Sequence, residues 1–269
     1  MIKTQLDYES GMKFLPDGVF KISPSSFNTF MTKPHVWYRE QVLGEDGFKG
    51  NTASVIGTIV HYIAEMYAKG LAVDMDEIGQ YITNQKDNPD VDTAVVRSSY
   101  KAMAEVLIND YVRKNMPTEV EKFYSVDLGG GVYVGGSIDA IDGITDSIID
   151  SSSCVVDYKT YNSKTKPRAI PQYYKYQLLI YAYILQKNGY DIDRVRLVYV
   201  NRNIDGGISE KTNKKLKSYP PEVTVLTEVI VKEDMEFIES VLFLCRDTYL
   251  KAKEDKSLVY LLYKDWRLK

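Results

Sequence analysis

Two cysteines and two histidines among 269 residues leave little material for several kinds of chemistry. Cys154 and Cys245 lie far apart in sequence, which argues against a disulfide-stapled fold and for a reducing compartment such as the cytoplasm. Two thiols are also too few for a four-cysteine iron–sulfur cluster. No apolar run approaches the roughly 20 residues that cross a bilayer, and the opening Met1-Ile2-Lys3-Thr4-Gln5 has no signal-peptide core. The expectation is therefore no membrane partner. An excess of charge of either sign is lacking as well. The formal net charge is −3, so bulk electrostatics does not advertise a polyanionic partner. No internal repeat or low-complexity tail is visible. What remains is an ordinary globular composition, 44% hydrophobic and 26% charged. The length suits one large domain, or a core with a helical insertion.

Distribution of charge says more than its sum. Lys159, Lys164, Lys166, Arg168 and Lys175 follow one another with no acid among them, and Lys211, Lys214, Lys215 and Lys217 form a second basic group in an expected loop. Each run reads either as a solvated surface or as a contact for phosphate. Tyr173, Tyr174 and Tyr176 sit among the first group, either as packing residues or as platforms for bases.

The first part of the chain reads as helical. Residues 1–20 form an extended arm. Ser23 caps a helix with Pro24 in its first turn, running to about Met31. A short helix starts at Pro34, and longer ones cover Ala53–Ala68 and Val91–Lys114. Composition then shifts. Strands are expected over Glu119–Val126, Val132–Ile141, Ser147–Tyr158, Val195–Asn201 and Val223–Val231. Gly129-Gly130-Gly131 turns the first hairpin. Helices are expected over Pro167–Lys187 and Glu233–Lys253. The expected division is an arm and helical region over 1–118, contributing His61, and a core over 119–269, together forming one integrated catalytic domain. The fold class is α/β, with a mixed central sheet flanked by helices.

The chemistry concentrates on two strands. In Val155-Val156-Asp157-Tyr158-Lys159, period-two alternation puts Asp157 and Lys159 on one face. Asp139, on the preceding apolar strand, is a second carboxylate. Two carboxylates and a lysine on a sheet face are costly unless something charged meets them. A divalent cation and a phosphate would do so, with Asp139, Asp157 and the Tyr158 carbonyl as oxygen ligands and Lys159 beside them. The plainer reading of Asp157 and Lys159 is a salt bridge at the sheet edge. Asp142 competes with Asp139, but its odd spacing turns it to the other face of a regular strand, and Asp142-Gly143 suits a turn. His61 is either a polar helix residue or a ligand, with Glu65 one turn on. His35 reads as structural. Gln177 shares an apolar helix face with Tyr173 and Tyr181, so its amide needs partners: a nearby backbone, or the acids of the site.

In order, these residues resemble the PD-(D/E)XK nuclease superfamily, specifically its RecB-like exonuclease branch. Gly57 and His61 match a Gly-x-x-x-His motif; Gly136 and Asp139 match Gly-x-x-Asp. Asp157 and Lys159 match acid-x-Lys, and Gln177 and Tyr181 match Gln-x-x-x-Tyr. Ser23-Pro24-Ser25-Ser26-Phe27 is similar to the opening of these nucleases. The resemblance covers roughly residues 21–202. It implies a restriction-endonuclease-like core and metal-dependent hydrolysis of DNA phosphodiester bonds by an activated water. His61, Asp139, Asp157 and the Tyr158 carbonyl would then hold Mg²⁺ or Mn²⁺. Lys159 would position the water, while Gln177 and Tyr181 shape the site. Lys164, Lys166, Arg168, Tyr173 and Lys175 would bind the strand. Glu119 or Glu121 is a further acid that can approach the same cavity. Members with an iron–sulfur cluster place a cysteine soon after the opening; Thr32–Tyr38 has none, so no cluster is expected. No helicase ATP-binding loop is present, so a motor or recombination partner would be a separate protein. The activities in view are a DNA exonuclease in recombination, repair or mobile-element processing, and a structure-selective endonuclease. A non-cleaving DNA-binding subunit and an RNA nuclease are the other readings.

Overall fold

Capping chemistry sets where the N-terminal helices begin. In this computed structural model, which describes residues 14–45, 47, 49–143, 153–161, 166–202, 211–214 and 219–255, Ser23 heads helix α1 (Pro24–Thr32). The Ser26 N–H donates to the Ser23 hydroxyl at 3.1 Å, and the Ser23 N–H donates to the Ser26 hydroxyl at 2.9 Å. Pro34 opens α2 (Pro34–Gln41). Asn51 and Ser54 repeat the reciprocal cap at α3 (Thr52–Ala68). Asp74 caps α4 (Met75–Asn84) and Asp92 caps α5 (Thr93–Leu107). Asp76 and Glu77 fill the first turn of α4, a helix that is not among those expected from the sequence. Helix α5 continues through a π-helical turn, Ile108–Val112, into α6 (Arg113–Asn115).

Among the described residues the sheet has six strands: β1 (Phe20–Ile22), β2 (Glu119–Gly129), β3 (Val132–Asp142), β4 (Ser153–Tyr161), β5 (Ile192–Asn201) and β6 (Val223–Val229). It is mixed. Strand β2 runs antiparallel along β3, joined by the glycine turn. On the other edge of β3, β1 pairs parallel over Val132–Val134 and β4 antiparallel over Ala140–Asp142. Residues 135–139 of that edge lie between the two partners. Strand β4 pairs parallel with β5 through the crossover helix α7 (Gln172–Lys187), and β6 closes antiparallel on β5 before α8 (Lys232–Glu254).

Helices cover both faces. Helices α1, α2, α7 and α8 pack on one side, around Ile138, Ile141, Val155, Leu197 and Tyr199. Helices α3, α4 and α5 pack on the other, around Ala140, Val156, Tyr158, Val198 and Val200. This is the α/β architecture expected. Some boundaries differ. The crossover helix starts at Gln172 and not at Pro167, because Pro167 and Pro171 each disfavour helical backbone in the residue before them. The arm ends in a strand, β1. The arm's first thirteen residues and the 147–152 portion of the third expected strand lie outside the described residues. No helix among the described residues is long and apolar enough to cross a membrane.

Candidate metal centre and active site

The site forms where β3 and β4 part. Their ladder reaches Ala140–Val156 and stops one residue short of Asp139 and Asp157. There the Tyr158 backbone N–H donates to Asp139 Oδ2 at 2.6 Å, so the carboxylate takes a donor that the ladder leaves free. Across β3, β2 is irregular at the same level. Glu121 has φ of 47°, a left-handed backbone that a glutamate rarely adopts. It falls between the pairs Val120–Ala140 and Lys122–Ile138, level with Asp139.

Helix α3 brings His61 over this point, with Nδ1 3.5 Å from Asp139 Oδ2. His61, Glu121 and Asp139 each present one ligand atom, all within 4.8 Å of one another. Two carboxylates and an imidazole are a donor set that suits Mg²⁺ or Mn²⁺. Glu119, two residues before Glu121, turns the other way. It accepts from the Tyr190 hydroxyl at 2.9 Å and from Tyr124, on the α7 side of the sheet. The left-handed residue separates the two glutamates.

Asp157 lies beside this group and is fully buried. Lys159 Nζ donates to its Oδ1 at 2.6 Å and Gln177 Nε2 donates to the same oxygen at 3.0 Å. Gln177 also reaches the Tyr181 hydroxyl at 3.4 Å. The glutamine on an apolar helix face therefore has the acid of the site as its partner. Asp157 Oδ2 has no hydrogen-bond partner although it is buried. An orphaned carboxylate oxygen next to two further acids fits a cation. Gly136 makes room for this packing: a Cβ there would lie 3.1 Å from Tyr181 Cε1 and 3.3 Å from Pro24 Cδ. Gly57 is different, since its Cβ would meet Thr160 Oγ1 at an ordinary 3.6 Å.

Electrostatics records an excess of acid. Burial lifts Glu121 to about 8, with the Asp139 charge adding to it. Burial also lifts Asp157 to about 6, although Lys159 opposes the shift. Burial would lower His61, but the Asp139 carboxylate outweighs it and raises the imidazole to about 8. Asp139 itself, despite its burial, is held below the usual carboxylate range by His61. Burial would lower Lys159, but the Asp157 and Asp139 carboxylates together outweigh it and push the ammonium up, so it stays charged.

A cavity of about 1100 Å³ opens from the cluster between α3 and the β2–β3 hairpin. A smaller space of about 330 Å³, lined by Gly57, His61, Lys159 and Thr160, meets it at His61. Other expected residues lie elsewhere. Lys175 bridges Glu228 at 3.3 Å and Asp234 at 3.2 Å, and Lys166 pairs with Glu222 at 2.9 Å. Arg168 and Tyr173 are exposed. Lys164, Lys215 and Lys217 fall outside the described residues. Tyr174 places its ring 5.6 Å from Lys159 Nζ. Glu65 pairs with Lys69 on the cavity wall. His35 is exposed on α2.

Asp142 does not lie at a turn. It ends β3 and pairs with Arg196 Nη1 at 2.6 Å and the Tyr111 hydroxyl at 2.5 Å. Odd spacing fails to separate it from Asp139 because the strand is irregular: Ile138 and Ile141, three apart, face the same core.

No curated protein matches the chain. Among solved structures, a candidate exonuclease from Eubacterium rectale aligns with a TM-score of 0.54 at 14% identity, over 94% of this chain and 87% of that one. An alkaline exonuclease from Laribacter hongkongensis is 12% identical over 80% of this chain and 99% of that one, with a TM-score of 0.35. The first of these is a likeness of fold. The sequence profile of the PD-(D/E)XK nuclease superfamily matches residues 21–248 and so spans every motif segment described above. The chain belongs to the PD-(D/E)XK nuclease superfamily.

Proposed function

We propose that this chain is a divalent-metal-dependent deoxyribonuclease that degrades DNA from an end. The observation that carries the reading is the convergence of His61, Glu121 and Asp139 within 4.8 Å at the root of an open cavity, beside the Asp157–Lys159 pair. His61, Glu121 and Asp139 would hold Mg²⁺ or Mn²⁺, with Asp157 Oδ2 and the Tyr158 carbonyl completing the set. Such a cation lowers the pKa of water and offsets charge on phosphate oxygens.

The chain's own groups do the rest. Lys159 is protonated, so it serves as a hydrogen-bond donor and a positive charge at the phosphate, not as a base. Asp157 holds it there, and Gln177 fixes Asp157 by binding the same oxygen. Tyr181 backs Gln177 from one helical turn away. Burial of Asp157 and Asp139 keeps bulk water from screening these charges. In the reaction, water adds to phosphorus and a P–O ester bond breaks, leaving a phosphate monoester and a free hydroxyl.

Digestion of end-labelled single- and double-stranded DNA, with and without Mg²⁺ or Mn²⁺, tests the proposal. Covalently closed circles are run alongside, and wild type is compared with Lys159→Ala. Metal-dependent loss of linear DNA with intact circles, abolished in the variant, is expected. Nicked circles would make the enzyme an endonuclease. Binding without cleavage by wild type in every metal condition would overturn the enzymatic reading.

A further inference from the structure

The large cavity extends well past the acidic cluster, and its floor is ordered by the hairpin register. The first rung is Glu121 with Asp139, the second Phe123 with Ser137, and the third Ser125 with Gly135. Successive rungs are two residues apart, about 7 Å along a strand. The facing wall is one stripe of α3, with Thr58, His61, Glu65 and Lys69 at helical spacing.

An aromatic pair stands on the second rung. The Phe14 and Phe123 rings are stacked, with centroids 5.5 Å apart and planes inclined by 24°. Lys21 Nζ lies 5.9 Å from the centre of the Phe123 ring. The neighbouring strand is cut away to admit this ring: a Cβ on Gly135 would sit 2.9 Å from Phe123 Cζ and 3.0 Å from the Tyr124 carbonyl oxygen. Phe14, the outer ring, is 58% exposed and lines the same cavity as the acids. A flat apolar surface with an ammonium beside it, one rung from a cation site, has the chemistry of a seat for a base, with the sugar–phosphate chain passing to the cluster.

We infer that the Phe14–Phe123 stack holds an unpaired nucleobase of a DNA strand, close to the phosphate that is cut. The inference rests on the nuclease reading for where that phosphate lies. A base inside a duplex has both faces covered by its neighbours, so a strand seated on these rings beyond its last pair must be single-stranded there.

The test measures binding, so it does not depend on turnover. Fluorescence anisotropy is recorded with a short single-stranded oligonucleotide in Ca²⁺, and strand integrity is checked on a gel. One nucleotide at a time is replaced by an abasic residue. Stacking of a base on an aromatic side chain is worth roughly 5- to 150-fold in affinity. Wild type should therefore lose about tenfold at one position near the end and little elsewhere. Phe14→Ala, at an exposed ring, should bind the intact strand about tenfold more weakly and become indifferent to that abasic residue. Phe123→Leu should do the same where its melting curve is intact. An equal abasic penalty in wild type and Phe14→Ala overturns the inference, as does the absence of any sensitive position. Failure of wild type to cleave DNA in any metal would instead remove the nuclease reading and leave this result standing.

Discussion

Asp139 and Asp142 lie three residues apart on one strand and are equally buried, each 8% exposed. Their fates differ because their neighbours differ. Around Asp142 the charge is closed internally. Arg196 binds Oδ2 at 2.6 Å, Tyr111 binds it at 2.5 Å, and Arg196 also donates to the Tyr111 hydroxyl at 3.1 Å. Around Asp139, beyond the Tyr158 N–H, the neighbouring side chains are another carboxylate and an imidazole, with the Asp157 carboxylate on the adjoining strand, and the space beside them is open. A buried acid with its own guanidinium ties the π-helical turn after α5 to the sheet. The acids around Asp139 are together short of positive charge, a deficit that falls on Glu121 and Asp157, and it makes the group competent to take a cation.

The contrast can be broken most severely at the open site. Asp139→Asn should lower DNA cleavage by about 10³-fold, the scale of losing a charge that acts on the reacting phosphate. Its melting temperature should fall slightly, since the substitution also removes the counter-charge of His61. Single-turnover digestion and thermal melting, read together, check this. Asp142→Asn should act on stability and hardly on cleavage. It leaves the Arg196 guanidinium, 21% exposed at its side chain, without a counter-charge. Stability should fall by about 2–4 kcal/mol in urea titrations, while cleavage per folded molecule changes less than twofold. Mn²⁺ sharpens the comparison further. At 100 times its dissociation constant a ligand stabilises by about 2.7 kcal/mol. Wild type and Asp142→Asn should both show such an increment in melting experiments, and Glu121→Gln should retain only a few tenths of a kcal/mol. Gly136→Ala should have the smallest effect, about 1 kcal/mol of destabilisation from crowding Tyr181 and Pro24.

Much of the open site is legible in the sequence, because its residues obey regular periods. Asp157 and Lys159 meet across the two-residue repeat of β4, and Gln177 and Tyr181 across one turn of α7. The Ser23 cap likewise announces α1, and the apolar period of residues 53–68 announces α3. The part that escapes is irregular backbone. Nothing about a glutamate signals φ of 47°, so Glu121 and Glu119 look equivalent in sequence while facing opposite ways. The same irregularity defeats the odd-spacing argument for Asp142. Helix α4 is concealed because its N-cap and first turn are a short acidic run, and β1 because three residues carry no period. The Phe14–Phe123 stack joins two segments that no local pattern links. Of the basic residues after β4, Lys166 and Lys175 show why charge runs are ambiguous: acids from β6 and its flanks already face them.

The divided edge of β3 also governs how the chain assembles as it is made. Phe20–Ile22 leave the ribosome well before Val132–Val134, their ladder partner among the described residues. Helix α1 can form at once from its own capping box, but it stays undocked until the β2–β3 hairpin has been synthesised and α7 follows. Closing so long a loop costs entropy before any contact repays it. Phe20 and Phe27 must therefore wait for their ring partners Tyr249 and Tyr176 throughout that interval, the stage at which a nascent chain of this topology is most exposed to self-association.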